Sequence, residues 1–275
     1  MKIIKRVWID VLALIVIGII FIVPFIFILL TAAKPRAEAA LFQFTPPSQW
    51  QLLENLRDVL AFGDYRMMLA MWNSMLITVG TVTLVVLFSA LVAFVLQRRS
   101  DRMAAIVSSF MLAGLVLPPS VVPTIFLLQW LGLYKTLIGM ILVNVALGMA
   151  FAILILRAFV ASIPKEIDEA AIMDGAPPLR VFFSIILPLL RPAMVTVIVT
   201  SSVGIYNDFV GPLYFLPGAQ NVTAQLTLFS FMSQFNSQWN LLFADVIIIT
   251  IPPLLMFMFF QQQIVSGMTS GAVKG

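Results

Sequence analysis

The chain has 275 residues, 61% of them hydrophobic and only 10% charged, with a mean hydropathy of +1.08 and a net charge of +4. That balance excludes a soluble globular protein and makes the chain an integral membrane protein. It holds no cysteine and no histidine, so disulfides, thiolate chemistry, HExxH metal sites and Ser/His dyads are excluded as well.

A bilayer core about 30 Å thick needs roughly 20 apolar residues of helix to cross it. Six segments meet that test, predicting spans at about 11–33, 72–97, 104–131, 136–157, 193–216 and 241–264 within one transmembrane domain, 1–275. The opening "MKIIKR" and the apolar run behind it resemble a secretion signal, but signal cores run about 7 to 15 residues. The run is longer, so it is read as an uncleaved first span.

Placing the N-terminus inside puts eleven Lys and Arg residues in inner segments and five in outer ones. The positive-inside rule therefore predicts both termini in the cytoplasm. The third and sixth predicted spans contain Pro118–Pro119 with Pro123, and Pro252–Pro253. Each is expected to interrupt the helical ladder. Residues 217–240, an outer loop on this topology, carry no charge; their "NVT" sequon at 221–223 is read as a chance match.

The stretch 163–192 differs from everything around it, with seven charged residues between apolar spans. Pro164 opens a helix without losing a backbone bond, and Glu166, Asp168 and Glu169 complement the positive end of its dipole. Gly175 is a natural left-handed stop. A second helix follows from Pro177–Pro178, with Leu179, Phe182, Phe183 and Ile186 spaced to share one face, and Pro188 and Pro192 closing it. On physics alone this is either an interfacial helix pair linking two spans or a docking element.

Polar groups inside spans are the remaining candidates. Asp208 and Asp245 fall within predicted spans, where a charge costs on the order of 3 kcal/mol; Asn144 and Gln129 are neutral polar groups there. Each either lines a translocation path or bonds within the helix bundle. No GxGD element accompanies the two aspartates, which argues against an intramembrane aspartyl protease. There is no P-loop, so the chain is expected to hydrolyse no ATP itself. No arginine lies in the interior of a predicted span, Arg157 standing at the inner boundary of the fourth, which favours a neutral substrate.

Glu169, Ala170 and Ala171, then Gly175 after three residues, then Ile185, Ile186, Leu187 and Pro188 after nine more, resemble the EAA loop of ABC-importer permeases. "YNDFVGPLYFL" at 206–216 is similar to the WNDF-type sequence of maltose-type carbohydrate permeases, with Tyr206 where tryptophan is usual. The ending from Gln238 onward resembles the same family, and the whole chain most resembles its second, smaller permease. The resemblance implies an all-α polytopic fold with six transmembrane helices and a cytoplasmic coupling loop at 163–192, the type I importer architecture. It implies coupling to an ATPase through Glu169, Ala170, Ala171, Asp174, Gly175, Ile185, Leu187 and Pro188, and favours a helix-packing role for Asp208; Asn144, Asp208 and Asp245 stand as possible path residues from their place within spans. The implied partners are a second permease, two ATPase subunits and an external solute-binding protein. The chain would bind no cofactor; ATP and Mg would sit on the partner ATPase. The implied substrate is a mono- or oligosaccharide, with glycerol phosphate or polyols as alternatives in the same class and an ion-coupled secondary transporter as the alternative outside it. The tail "SGMTSGAVKG" is expected to reach the ATPase, and the 217–240 loop the binding protein.

Overall fold

The computed structural model describes the backbone of residues 2–232 and 237–272, and side chains from Val11 to Gln261 apart from Leu12, Ile15 and residues 233–236. The tail and the centre of the outer loop therefore lie outside the described side chains. The described residues are helical almost throughout, in two units. One comprises the chain up to Met71 with Leu226–Ile251; the other comprises Trp72–Gln225 with the chain from Pro252.

In the first unit, α1 (Lys2–Ala32) leads through a short α2 (Arg36–Ala39) into the start of α3 (Leu52–Arg98). Many apolar side chains of α1 remain exposed, Leu14 at 70% and Phe21 at 63%, as suits a helix whose solvent is lipid. Its last turn leaves carbonyls without intrahelical donors. Asn55 supplies them, its Nδ2 donating to Ala32 O at 2.8 Å and Lys34 O at 3.1 Å. The Nδ2 of Asn240, in turn, donates to Asn55 Oδ1 at 2.8 Å. Lys34, counted in the sequence as an outer-loop charge, is 1% exposed and donates through Nζ to Gln43 O and Thr45 Oγ1. Aromatic edges complete this packing, Phe27 against Phe243 and Phe42 against Trp239. Within α3 the helix breaks at Phe62, and Gly63, Asp64 and Tyr65 all take left-handed φ values of 58°, 55° and 61°.

The second unit carries the rest of α3, then α4 (Arg102–Val116), α5 (Val121–Trp130), α6 (Leu137–Val160), α7 (Glu166–Met173) and α8 (Pro178–Val181). A π-turn (Phe182–Ile186) and α9 (Leu187–Leu189) lead into α10 (Arg191–Tyr206) and α11 (Val210–Phe215). After α12 (Ala224–Thr227), α13 (Trp239–Ala272) ends the described chain. The core is built on small residues, Ala90, Ala93, Ala152, Ala171 and Ala193, with Val85, Leu156, Phe182 and Ile186 between them. Small side chains let membrane helices approach closely where lipid supplies no hydrophobic drive.

Among the described residues, three helices are long and apolar enough to cross a membrane: α3, α6 and Trp239–Gln261 of α13. Two bent pairs satisfy the same test jointly, α4 with α5 at 119°, and Pro178–Leu189 with α10 at 74°. Val16–Ala32 of α1 is a shorter apolar helix. The proline pairs behave differently from one another. Pro118 holds Leu117 extended (ψ 129°) and the chain turns sharply before α5, as the residue before a proline is pushed out of the helical region. Pro123 sits inside α5 without breaking it. Pro252 and Pro253 interrupt the hydrogen-bond ladder by their missing donors, yet lie within one continuous helix. Two donors are lost there, but membrane helices accommodate proline where the freed carbonyls find other partners.

Candidate functional site

The 163–192 segment builds a short helix whose two faces have different fates. After the turn at Pro164, α7 carries Glu166, Asp168 and Glu169 in its first turn. Asp168 and Ala171 are buried, Ile167 half-buried, and Glu169, Ala170 and Asp174 exposed. The stop is a Schellman motif: Ala176 N donates to Ala171 O at 3.0 Å and Gly175 N to Ile172 O at 2.9 Å, with Gly175 at φ +78°. These are the two bonds that satisfy a helix's last carbonyls when the next residue turns left-handed. A Cβ on Gly175 would meet nothing within 4 Å, so the backbone conformation, and not space, selects glycine here.

The second half of the loop corrects the sequence reading. Phe182 and Ile186 are buried, but Leu179 is 65% and Phe183 54% exposed, while Val181 and Leu190 are buried instead. The π-turn Phe182–Ile186 adds a residue to its turn and shifts the side chains within and after it off the face that a 3.6-residue period assigns; Leu179 lies ahead of it, in the exposed start of α8. Phe182 packs on Phe94 of α3 with ring centroids 5.7 Å apart. Ile185 and Leu187 are half-buried and Pro188 exposed. Beside α7 a groove of about 410 Å³ is lined by Ile167, Ala170, Ala171, Asp174, Ala176, Arg180 and Ile185. Of the eight residues that the sequence ties to coupling, four thus line one groove, Gly175 ends the helix beside it, and Glu169 is exposed in the first turn of α7; Leu187 and Pro188 belong to the turn into α10.

Sequence reasoning missed what holds this joint. Arg98, the last residue of α3, donates through Nε to Asp168 Oδ2 and through Nη2 to Ile163 O at 3.1 Å. Arg157 of α6 donates to Gln97 Oε1 at 3.0 Å and to Ser108 Oγ of α4 at 2.8 Å. The neighbouring Arg99 is spent on Asp101, an exposed pair. Asp101 also accepts from Ala104 N at the start of α4, and this bond, with Arg99 second, holds its carboxyl below the ordinary range.

Two of the three path candidates come together. Asn144 and Asp208 line one cavity of about 400 Å³ within the second unit, walled by α5, α6 and α11 and by Pro119 and Ser120 where α4 breaks from α5. Asn144 Nδ2 is buried with no partner among the described residues. Asp208 accepts from Gly211 N at 3.1 Å, fixing the start of α11. Asp245 belongs to the first unit and is 0% exposed, accepting from Thr227 Oγ1 at 2.8 Å. Gln129 is not among the cavity's lining residues.

The root of the outer loop is firmly tied. Asn73 Nδ2 donates to Gln220 O and Val222 O at 3.1 and 3.0 Å, and Ser74 Oγ accepts from Ala224 N at 2.8 Å. Asn221 of the sequon is 9% exposed and donates to Lys135 O at 2.8 Å, so its amide is not available for modification.

Residues 85–270 match the family described as binding-protein-dependent transport system inner membrane component. The diacetylchitobiose uptake system permease protein NgcG of Streptomyces coelicolor is 31% identical over 94% of this chain and 85% of its own. The melibiose/raffinose/stachyose import permease protein MelC of Bacillus subtilis is 32% identical over 74% of this chain and 75% of its own. Among solved structures, a bacterial ABC transporter involved in the import of the acidic polysaccharide alginate matches with a TM-score of 0.77 at 20% identity, over 95% of both chains. The family match spans the joint at α7, the turn into α10 and the cavity lined by Asn144 and Asp208, and with these relatives it makes the chain a member of the family of inner-membrane components of binding-protein-dependent transport systems.

Proposed function

We propose that this permease is one membrane subunit of an ATP-driven importer of sugars, and that α7 is the helix on which a separate ATPase subunit docks. The observation that carries the reading is the asymmetry of α7. Its Asp168 and Ala171 face is fixed to the core, while Met173 is 86% and Ile172 57% exposed beside the groove. Exposed apolar side chains at the end of α7, with Asp174 beside them and Glu169 exposed in its first turn, mark a surface that a protein partner covers. The narrow Ala170 lets that partner approach the backbone.

On this reading six spans cross the inner membrane with both termini in the cytoplasm, a second permease completes the path, and an external binding protein delivers the sugar. ATP and Mg act on two partner ATPase subunits, whose closure pushes α7. A sugar substrate is supported by relatives whose names specify diacetylchitobiose and melibiose, raffinose or stachyose. Asn144 and Asp208 would meet the substrate's hydroxyl groups. The carboxyl of Asp208, with no Lys or Arg among the cavity's lining residues, disfavours glycerol phosphate.

The test is affinity purification of the tagged chain in mild detergent from its own membrane. Co-purification of a second permease and an ATPase, with ATP hydrolysis and ATP-dependent sugar uptake after reconstitution, is expected. Recovery of the chain alone, with uptake driven by an ion gradient, would overturn the reading in favour of a secondary transporter.

A further inference from the structure

We propose that Arg98 is a positioning residue of the coupling joint: through Asp168 and the Ile163 carbonyl it makes α7 and the end of α3 move as one body. The inference rests on the reading of α7 as the docking helix, and goes beyond it to name the element that receives the displacement.

The geometry is specific. One guanidinium uses Nε on a side chain of α7 and Nη2 on the backbone just before that helix. The entry to α7 and its first turn are therefore both fixed to a single residue at the end of α3. The side chains of Arg98 and Asp168 are 14% and 10% exposed, and Asp168 Oδ1 is buried without a partner among the described residues. A buried pair left partly unsatisfied is a poor device for stability, since apolar residues of the same size do as well or better. It is a good device for fixing direction, because the planar fork meets two acceptors at set angles and lysine cannot. The contrast with Arg99 sharpens the point. That residue, one position on, makes an exposed pair with Asp101 of the kind that contributes little. Phe182 against Phe94 gives α3 a second, apolar contact with the same loop, so a push on α7 has a stiff path to α3. The other groups at the joint do not compete for Arg98: Glu166 and Glu169 are exposed, and Arg157 is bound to Gln97 and Ser108.

The experiment compares the parent complex, the double variant Arg98→Met/Asp168→Leu and the single variant Asp168→Asn, each reconstituted with its ATPase, partner permease and binding protein. Radiolabelled melibiose, raffinose and diacetylchitobiose serve as probes, and the quantity read is sugar imported per ATP hydrolysed. The double variant removes both charges and fills the space with apolar groups, so assembly and ATP hydrolysis are expected to persist while the ratio falls about tenfold, the size that coupling residues reach. Asp168→Asn, which keeps an acceptor, is expected to fall by less. A double variant with the parent's ratio would overturn the inference, assigning the pair to stability alone. Should the double variant not assemble, the single variant decides: an unchanged ratio there overturns the inference, and a lowered one in an intact complex supports it. A parent complex that neither hydrolyses ATP nor imports any probe would instead sink the importer reading itself.

Discussion

Gly175 offers the cleanest separation of backbone conformation from space. Its φ of +78° is the left-handed region, and a Cβ there would touch nothing within 4 Å. Replacing it with alanine therefore adds no clash, only the left-handed penalty of roughly 1–2 kcal/mol. What opposes that penalty is the Schellman pair, Ala176 N to Ala171 O and Gly175 N to Ile172 O, together worth about 1–3 kcal/mol at the usual net value of a hydrogen bond. Strain and bonds are of like size, so the opened loop rises from a minor state to one of comparable population. With Gly175→Ala, sugar uptake per assembled complex should fall about two- to fivefold on this balance. Asparagine adopts the left-handed region readily, so Gly175→Asn should stay within about twofold of the parent, and the β-branched Gly175→Val should fall furthest. The assay is ATP-dependent uptake into proteoliposomes, normalised to complex recovered, with ATP hydrolysis in parallel. Asparagine is larger than alanine, so the order of the two is decisive. Uptake ranked by volume, with alanine close to glycine and asparagine well below it, would refute the conformational argument.

The absence of native cysteine makes accessibility directly readable: Asn144→Cys should react with a membrane-impermeant thiol reagent and be protected by transported sugar, whereas Asp245→Cys, at a position 0% exposed, should not react. Asn55→Ala orphans the Ala32 and Lys34 carbonyls and the Asn240 amide; at about 1–3 kcal/mol for each buried group left unpaired, it should lower the melting temperature in detergent markedly, and Asn55→Asp, which sets a buried carboxylate against the same two carbonyls, should lower it at least as far. Asp101 is held ionised more strongly in the fold than in the unfolded chain, so its contribution is full above the ordinary carboxylate range and lost as pH falls through its depressed value. Asp101→Asn, which still caps α4, and the parent should therefore show parallel melting between about pH 5 and 8 and converge only below about pH 4.

The loop at 163–192 was the most legible part of this chain because its chemistry is local. Proline at a helix start, acids in the first turn and glycine at the stop are each set by neighbours within four residues, and α7 ends at Gly175 as those rules require. The next helix shows where local rules stop. The period-3.6 pattern does not hold through this helix, because the π-turn at Phe182–Ile186 adds a residue that the pattern cannot anticipate, and Phe182 packs on Phe94, far away in the sequence. Prolines were ambiguous for a similar reason. Pro118 is followed by a second proline, then by Ser120 in extended backbone, and the chain turns there; Pro252 and Pro253 sit in a run of apolar residues and the helix continues. Among the polar groups, hydropathy flags Asn144, Asp208 and Asp245 alike, since it does not depend on where a side chain points.

Arg98 and Arg99 show most sharply what a linear reading lacks. Both are arginines, adjacent at the end of one helix, and a topology count gives them equal weight as inner positive charges. The helical rotation of about 100° between neighbours sends one towards Asp168 and Ile163 and the other to Asp101 beside it. Asp168 is equally double in meaning: its place in the first turn of α7 satisfies the dipole rule, which leaves no residue of the pattern unexplained and so no prompt to look for a partner 70 positions away. A residue that fulfils a local rule conceals a distant one, and the contact between Arg98 and Asp168 was hidden by that fit.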